Sequence, residues 1–377
     1  MALSVRRRVN TIGIELLRGA ISPSSAQKGS AKISLLFQLS LLLLSVAATS
    51  SGAAFDFPGK VGAWPCPPED ELVPCTCYAD DDLNLFLGCQ ELESISDLKA
   101  VFTASFQFKK FFRLQINDCN FTEGTLTKDI FEGFTFREVI MFNNKLNEVE
   151  VGIFSDSVQD LTFFEFSDPI PSFPLSNLES FKELRELVVD INCDQFPTLT
   201  SDSVLSFSLH CGGTNVTMET SQLNMNALTT LHLHDSNLIS IGPENFESQS
   251  LNILTLNGNY LEEFDPEVLK FSSLLKLDLS DNLLTDMPFI TGMAPKGTVR
   301  IADNKNLKQL SLDTTMPLLD ADVTIHAEGV SLSCDCNLRW LLDTDGTDLL
   351  INKITVNVDC EHEEDFSDIR DILDKFC

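Results

Sequence analysis

The sequence predicts a solenoid in which short parallel strands stack into one long sheet, and two observations lead there. First, one phrase recurs between residues 228 and 290. Leu228, Leu231, Leu233 and Leu238 fit the frame L-x-x-L-x-L-x-x-N-x-L, with Ser236 at the Asn place. Leu251, Leu254, Leu256, Asn259 and Leu261 fill the frame, as do Leu274, Leu277, Leu279, Asn282 and Leu284. The copies start 23 residues apart, a period at which each copy is one coil that buries its apolar face only against its neighbours. Second, cysteines bunch at the two ends of this array: Cys66, Cys75, Cys77 and Cys89 before it, and Cys334, Cys336, Cys360 and Cys377 after it. A stack of coils exposes its core at both ends, so covers are needed there.

The frame has a mechanism. Side chains alternate across a strand, so positions 4 and 6 point inward while 3, 5 and 7 point out. At position 9 an Asn carries both a donor and an acceptor, and it satisfies buried backbone where the chain leaves the strand. Period and frame are those of a leucine-rich repeat. The expected fold is therefore an α/β-type leucine-rich-repeat solenoid, with a curved parallel β-sheet on the concave face and loops or short helices on the convex one. Short caps stapled by disulfides close it.

Looser matches extend the frame to about ten repeats, with strands starting at Phe111, Phe136, Val158, Leu184, Val204, Leu228, Leu251, Leu274, Lys296 and Asp320. Cys119, Asn144, Asn192 and Asn304 then fall at position 9. Cys119 reads as a buried thiol in that ladder. The repeat at Val158 fits worst, because Phe166 takes the Asn place and Asp168-Pro-Ile-Pro marks an insertion. Phe is unusually common, 28 residues against two Tyr and two Trp. It recurs between strands at Phe131, Phe154, Phe173, Phe246, Phe264 and Phe271, the places where a buried spine would run on the far side of each coil.

Residues 1–53 read as a secretory signal peptide with a long n-region. Arg6, Arg7, Arg8, Arg18, Lys28 and Lys32 precede an apolar run from Ile33 to Ala48, which small residues follow. The run is shorter than the roughly 20 residues of a membrane span, and no later segment could cross a bilayer. The domain reading is 1–53 leader, 54–110 N-terminal cysteine-rich cap and lead-in, 111–333 repeat array, and 334–377 C-terminal cysteine-rich cap. Behind a leader, clustered cysteines read as disulfides; two four-cysteine zinc sites are the rival reading. Cys193 and Cys211 sit one repeat apart, and the sequence leaves open whether they pair.

The two clusters, the second opening with Cys334-Asp-Cys-Asn-Leu-Arg-Trp-Leu341, resemble the cysteine-rich flanks of extracellular leucine-rich-repeat proteins. That resemblance implies Cys66–Cys77 and Cys75–Cys89 in the first flank, and Cys334–Cys360 and Cys336–Cys377 in the second. Secretion would expose two glycosylation sequons, at Asn120 and Asn215, each just after an expected strand.

Function in such a solenoid usually lives on the outward-pointing strand positions. On the frame as placed, Ile140, Phe142, Phe164 and Val188 form an apolar island edged by Glu138, Asp160, Glu186 and Asp190, which is how a protein-binding patch looks. The alternative is that the Val158 register is misplaced and part of the island is core. His210, His232 and His234 fall close together on the same face and offer a weak candidate metal or pH-sensitive site. No catalytic constellation and no cofactor motif emerge. A net charge of −30, or −35 once the leader's six cations and one Glu are removed, argues against nucleic acid and favours a basic protein partner.

One closer resemblance covers most of the mature chain. Pro74-Cys-Thr-Cys77, Phe102-Thr-Ala-Ser-Phe-Gln-Phe-Lys-Lys-Phe111 and Ile170-Pro-Ser-Phe-Pro174 look like a family of secreted arthropod repeat proteins. It is the family of the non-catalytic subunit of a coelenterazine-type luciferase and its arthropod relatives. The resemblance implies a secreted accessory protein with no active site, accompanying a small catalytic chain. A matrix or innate-immune recognition protein and a metal-binding secreted protein are the alternatives.

Overall fold

The computed structural model describes residues 60–61, 64–171, 175, 177–246, 250–333, 340 and 353–359. The leader, Cys334, Cys336, Cys360 and Cys377 lie outside them, as does Phe173; of the Phe271 side chain nothing is described. Within the described residues one sheet of 14 strands runs from Lys60–Val61 to Ile354–Asp359. Its first three strands, Lys60–Val61, Thr76–Ala79 and Leu85–Gln90, pair antiparallel. From Leu85–Gln90 onward every neighbour in this sheet is parallel, and its strands follow one another in chain order, while four short strands between them, Leu199–Thr200, Val216–Met218, Leu223–Asn224 and Leu238–Ile241, pair in two separate two-stranded sheets.

This is the solenoid the frame predicts, and the register shows why it forms. Position 3 meets position 3 across the regular repeats: Arg113 lies opposite Glu138, and Ser206, Thr230, Ile253, Lys276 and Thr298 follow one another across successive strands. Inward positions 4 and 6 are the core. Leu231, Leu233, Leu254, Leu256, Leu277 and Leu279 are all fully buried, each contributing on the order of 2 kcal/mol by burial. Between strands, Phe131, Phe154 and Phe246 are buried as a spine. The Phe131 and Phe154 rings stack at 5.1 Å.

Position 9 does the work assigned to it. Asn259 Nδ2 donates to Leu233 O and Leu256 O, both at 2.8 Å, while its Oδ1 accepts from Ser236 N and Leu238 N. Asn282 and Asn304 repeat the pattern one coil on. Ser236, the shorter stand-in, donates its hydroxyl to Leu209 O at 2.8 Å. Cys119 is buried, forms no disulfide and places its Sγ 3.4 Å from Asn117 O; burial pushes the thiol up to about 11. The preceding position turns the chain with a left-handed residue, Asp118, Asn143, Asp235, Asp281 or Asp303, a conformation Asp and Asn tolerate best among residues with a Cβ. Gly258 holds the same place because a Cβ there would lie 2.1 Å from Asp235 Oδ1.

Three expectations are corrected. The strand expected from Val158 is Phe163–Ser167, three residues later. Val158 closes a 3₁₀ turn, Ser155–Ser157, so it cannot begin a strand. The frame instead takes Leu161, Phe164 and Phe166 as its inward residues, each buried to within 1 %. The buried Asp168 then acts as a ladder group, its Oδ1 accepting from Asn144 N at 2.6 Å. Asn192 is not a ladder residue but exposed. Its strand and the next run one pair further, to Ile191 opposite Cys211, and Cys193 bonds to Cys211. A covalent staple replaces the amide ladder at those two coils. Finally, a helix occupies Leu312–Asp320, so the strand placed at Asp320 starts at Thr324, with Thr324 opposite Thr298.

At the N-terminal end the structure forms Cys66–Cys77 and Cys75–Cys89, the pairs the flank resemblance implies. No helix among the described residues is long and apolar enough to cross a membrane.

Candidate functional site on the concave face

The corrected register rewrites the middle of the concave face. Glu138, Ile140 and Phe142 lie opposite Phe163, Glu165 and Ser167, which in turn face Glu186, Val188 and Asp190. The candidate residues Glu138, Ile140, Phe142, Val188 and Asp190 are therefore brought together, half-buried, on the two strands that flank Phe163–Ser167. Phe164 is not: it is fully buried, because the three-residue shift reverses the face on which it falls. Phe163 takes its place on the outward face. Asp160 leaves the sheet and forms an ion pair with Lys110 at the strand's entrance.

Glu165 and Phe163 were the residues sequence reasoning missed. The signal was present, since Leu161-x-x-Phe164-x-Phe166 fits positions 1, 4 and 6 better than Val158 does.

The electrostatics follow from partial burial beside apolar groups. Burial raises the Glu165 carboxyl above the usual carboxylate range, and the neighbouring Glu186 adds to it. Glu186 is raised by burial and then by Glu138. Glu138 is held by Arg113, whose Nη2 lies 2.6 Å from its Oε2. Asp190 differs. Burial works to raise it, but the hydrogen bond and charge of His210, joined by the Ser167 hydroxyl, outweigh that and hold it low. His210 Nδ1 lies 2.6 Å from Asp190 Oδ1, and this bond raises the imidazole against the opposing effect of burial. The face thus mixes apolar side chains with carboxylates, two of which, Glu165 and Glu186, form no ion pair among the described residues.

The histidines do not converge on one point. His210 faces Asp190, His232 Nδ1 lies 2.7 Å from Thr255 Oγ1, and His234 Nδ1 lies 3.2 Å from Asp235 Oδ2. Burial, with His234 and Lys276 nearby, lowers His232 to about 4. No group of three or more His, Cys, Asp or Glu among the described residues is arranged to hold a metal ion. Of the two sequon residues, Asn215 is exposed and Asn120 half-buried.

A family model described as "Leucine rich repeat" matches residues 226–284. The chain is 24% identical over 304 residues to the "Oplophorus-luciferin 2-monooxygenase non-catalytic subunit" of Oplophorus gracilirostris, covering 78% of this chain and 83% of that protein. Among solved structures, the TLR13–ssRNA13 complex aligns at 14% identity with a TM-score of 0.40, over 72% of this chain and 53% of that one; this chain spans about half the length of that structure's chain. The stacked parallel strands, the position-9 ladder and the stapled N-terminal flank give the chain the fold of a leucine-rich-repeat solenoid, and over most of its length it is similar to the non-catalytic subunit of Oplophorus-luciferin 2-monooxygenase.

Proposed function

We propose that the chain is a secreted accessory protein without an active site, whose concave face holds a protein partner. The observation that carries this reading is the patch of Ile140, Phe142, Phe163 and Val188, outward-facing apolar side chains in register on three strands, with Glu165 between Ile140 and Val188 and with Glu138, Glu186 and Asp190 at the edge. Apolar centres with polar rims are how protein interfaces are built. A relative whose name makes it a non-catalytic subunit supports the accessory role. Disulfides in the N-terminal flank and the apolar leader support export.

Carboxylates outnumber cations on this face, where Arg113 meets Glu138 and His210 meets Asp190, and the chain carries −30, so the fitting partner presents a basic surface around an apolar anchor, and its association quickens at low salt. The test is capture from native secretion with the mature chain and with its Val188→Asp variant as baits. A basic protein retained by the first and lost by the second supports the reading. A partner retained equally by both would place the interface elsewhere.

A further inference from the structure

A pocket lies at the N-terminal end, where the cap meets the first two repeat strands, apart from the concave-face patch. Its volume is about 380 Å3, within the roughly 300–1,000 Å3 range of small-ligand sites. Trp64, Leu83 and Phe108 form its outer wall and are 63%, 59% and 49% exposed. The Trp64 and Phe108 rings meet edge to face at 6.1 Å, and Trp64 Nε1 donates to Gln107 Oε1 at 3.3 Å. Leu83 is held at φ +63°, a region that branched apolar residues avoid. The turn that imposes it is fixed by Asp80, whose carboxylate accepts from Asp82 N, Asn84 N and Asn84 Nδ2. Three large apolar side chains are thus kept around one concavity although water reaches them all.

The charge in the pocket is the reverse of the charge on the chain. Asp and Glu outnumber Lys and Arg by 56 to 26 overall, yet the lining contains Lys110 and Arg137 and no carboxylate. Lys110 is committed to Asp160 and the neighbouring Arg113 to Glu138. The Arg137 guanidinium lies over the Phe112 ring, 5.2 Å from its centroid, and makes no ion pair among the described residues. A planar cation laid on an aromatic ring, with its donors unspent, is prepared for a carboxylate.

We infer that this pocket binds a small aromatic anion, its ring against Trp64, Leu83 and Phe108 and its carboxylate on Arg137. The test uses naphthaleneacetate with the neutral alcohol and the cationic amine of the same ring, titrated into the full mature chain by calorimetry and by tryptophan fluorescence. The acid is expected to bind about tenfold more tightly than the alcohol, the worth of one charge-assisted hydrogen bond, and the amine more weakly than either. Arg137→Met should abolish the preference for the acid and leave alcohol binding unchanged. Phe108→Ala should weaken both, and Trp64→Phe should remove the fluorescence response while heat is still released. Equal affinity for acid and amine, or an unaltered preference in Arg137→Met, would overturn the assignment. So would a wild-type dimer that Phe108→Ala makes monomeric in sedimentation, which would give the pocket to a second copy of the chain.

Discussion

Glu165 lies directly opposite Ile140 across two parallel strands, so a carboxylate and an apolar side chain share the centre of the concave face. That adjacency shapes the pH response. The Glu165 carboxyl is raised by burial and by Glu186. A carboxyl raised on folding contributes stability that is full below its unfolded value and is lost as pH rises through its folded one. Glu165→Gln is therefore expected to raise the melting temperature at pH 7.5, with the gain shrinking as pH falls toward 4. A gain that is flat across this range would show that Glu165 is not destabilised by its surroundings.

In the Asp190–His210 pair the charged form of each member is the favoured one. Asp190 is lowered from 3.8, so its contribution is present above that value and is lost as pH falls through the lower folded one. His210 is raised from 6.5, so its contribution is present below 6.5 and is lost as pH rises through the higher folded one. The pair stabilises most between these limits. His210→Gln should lower the melting temperature most near pH 5–6 and little at pH 9. An equal loss at both would mean that the imidazole serves by shape alone.

Where the disulfide Cys193–Cys211 stands in for the ladder amide, the two devices can be compared. Replacing both cysteines with Ser is expected to cost about 2–4 kcal/mol through the freed chain entropy. Asn259→Ala leaves buried backbone groups unpaired at several positions and is expected to cost about 2–4 kcal/mol as well. Denaturant unfolding of the two variants measures both. Wild-type stability in Asn259→Ala would remove the ladder from the account.

What the sequence showed and what it hid have a physical pattern. Leu228 to Leu284 was legible because Leu fills every inward frame position there and Asn or Ser the turn, so that even with Leu275 and Leu283 exposed one phase fits all three copies. The same logic placed Ile140, Phe142 and Val188 outward. At 161–166 Leu, Thr and a run of three aromatics in four residues put apolar groups on both faces, so alternation could not choose a phase. The insertion before Leu175 also removed the Asn that would have fixed it. Asp168 does that job as a carboxylate, which the frame does not ask for. The pocket under Trp64 was hidden for another reason: it joins the cap, the turn at Leu83 and two strand entrances, segments up to about 70 residues apart with no shared period.

The central claim is that Phe142 faces a partner and not the core. Phe142 is half-buried at the outward end of its strand, opposite Ser167. Its decisive measurement is Phe142→Ala, read by melting temperature and by affinity for a partner captured from native secretion. The account predicts a loss of about 1–3 kcal/mol in partner binding, the range of an aromatic hot spot, with stability nearly unchanged. A loss of about 3–5 kcal/mol in stability, the cost of a core Phe, or an unchanged partner affinity, would contradict it.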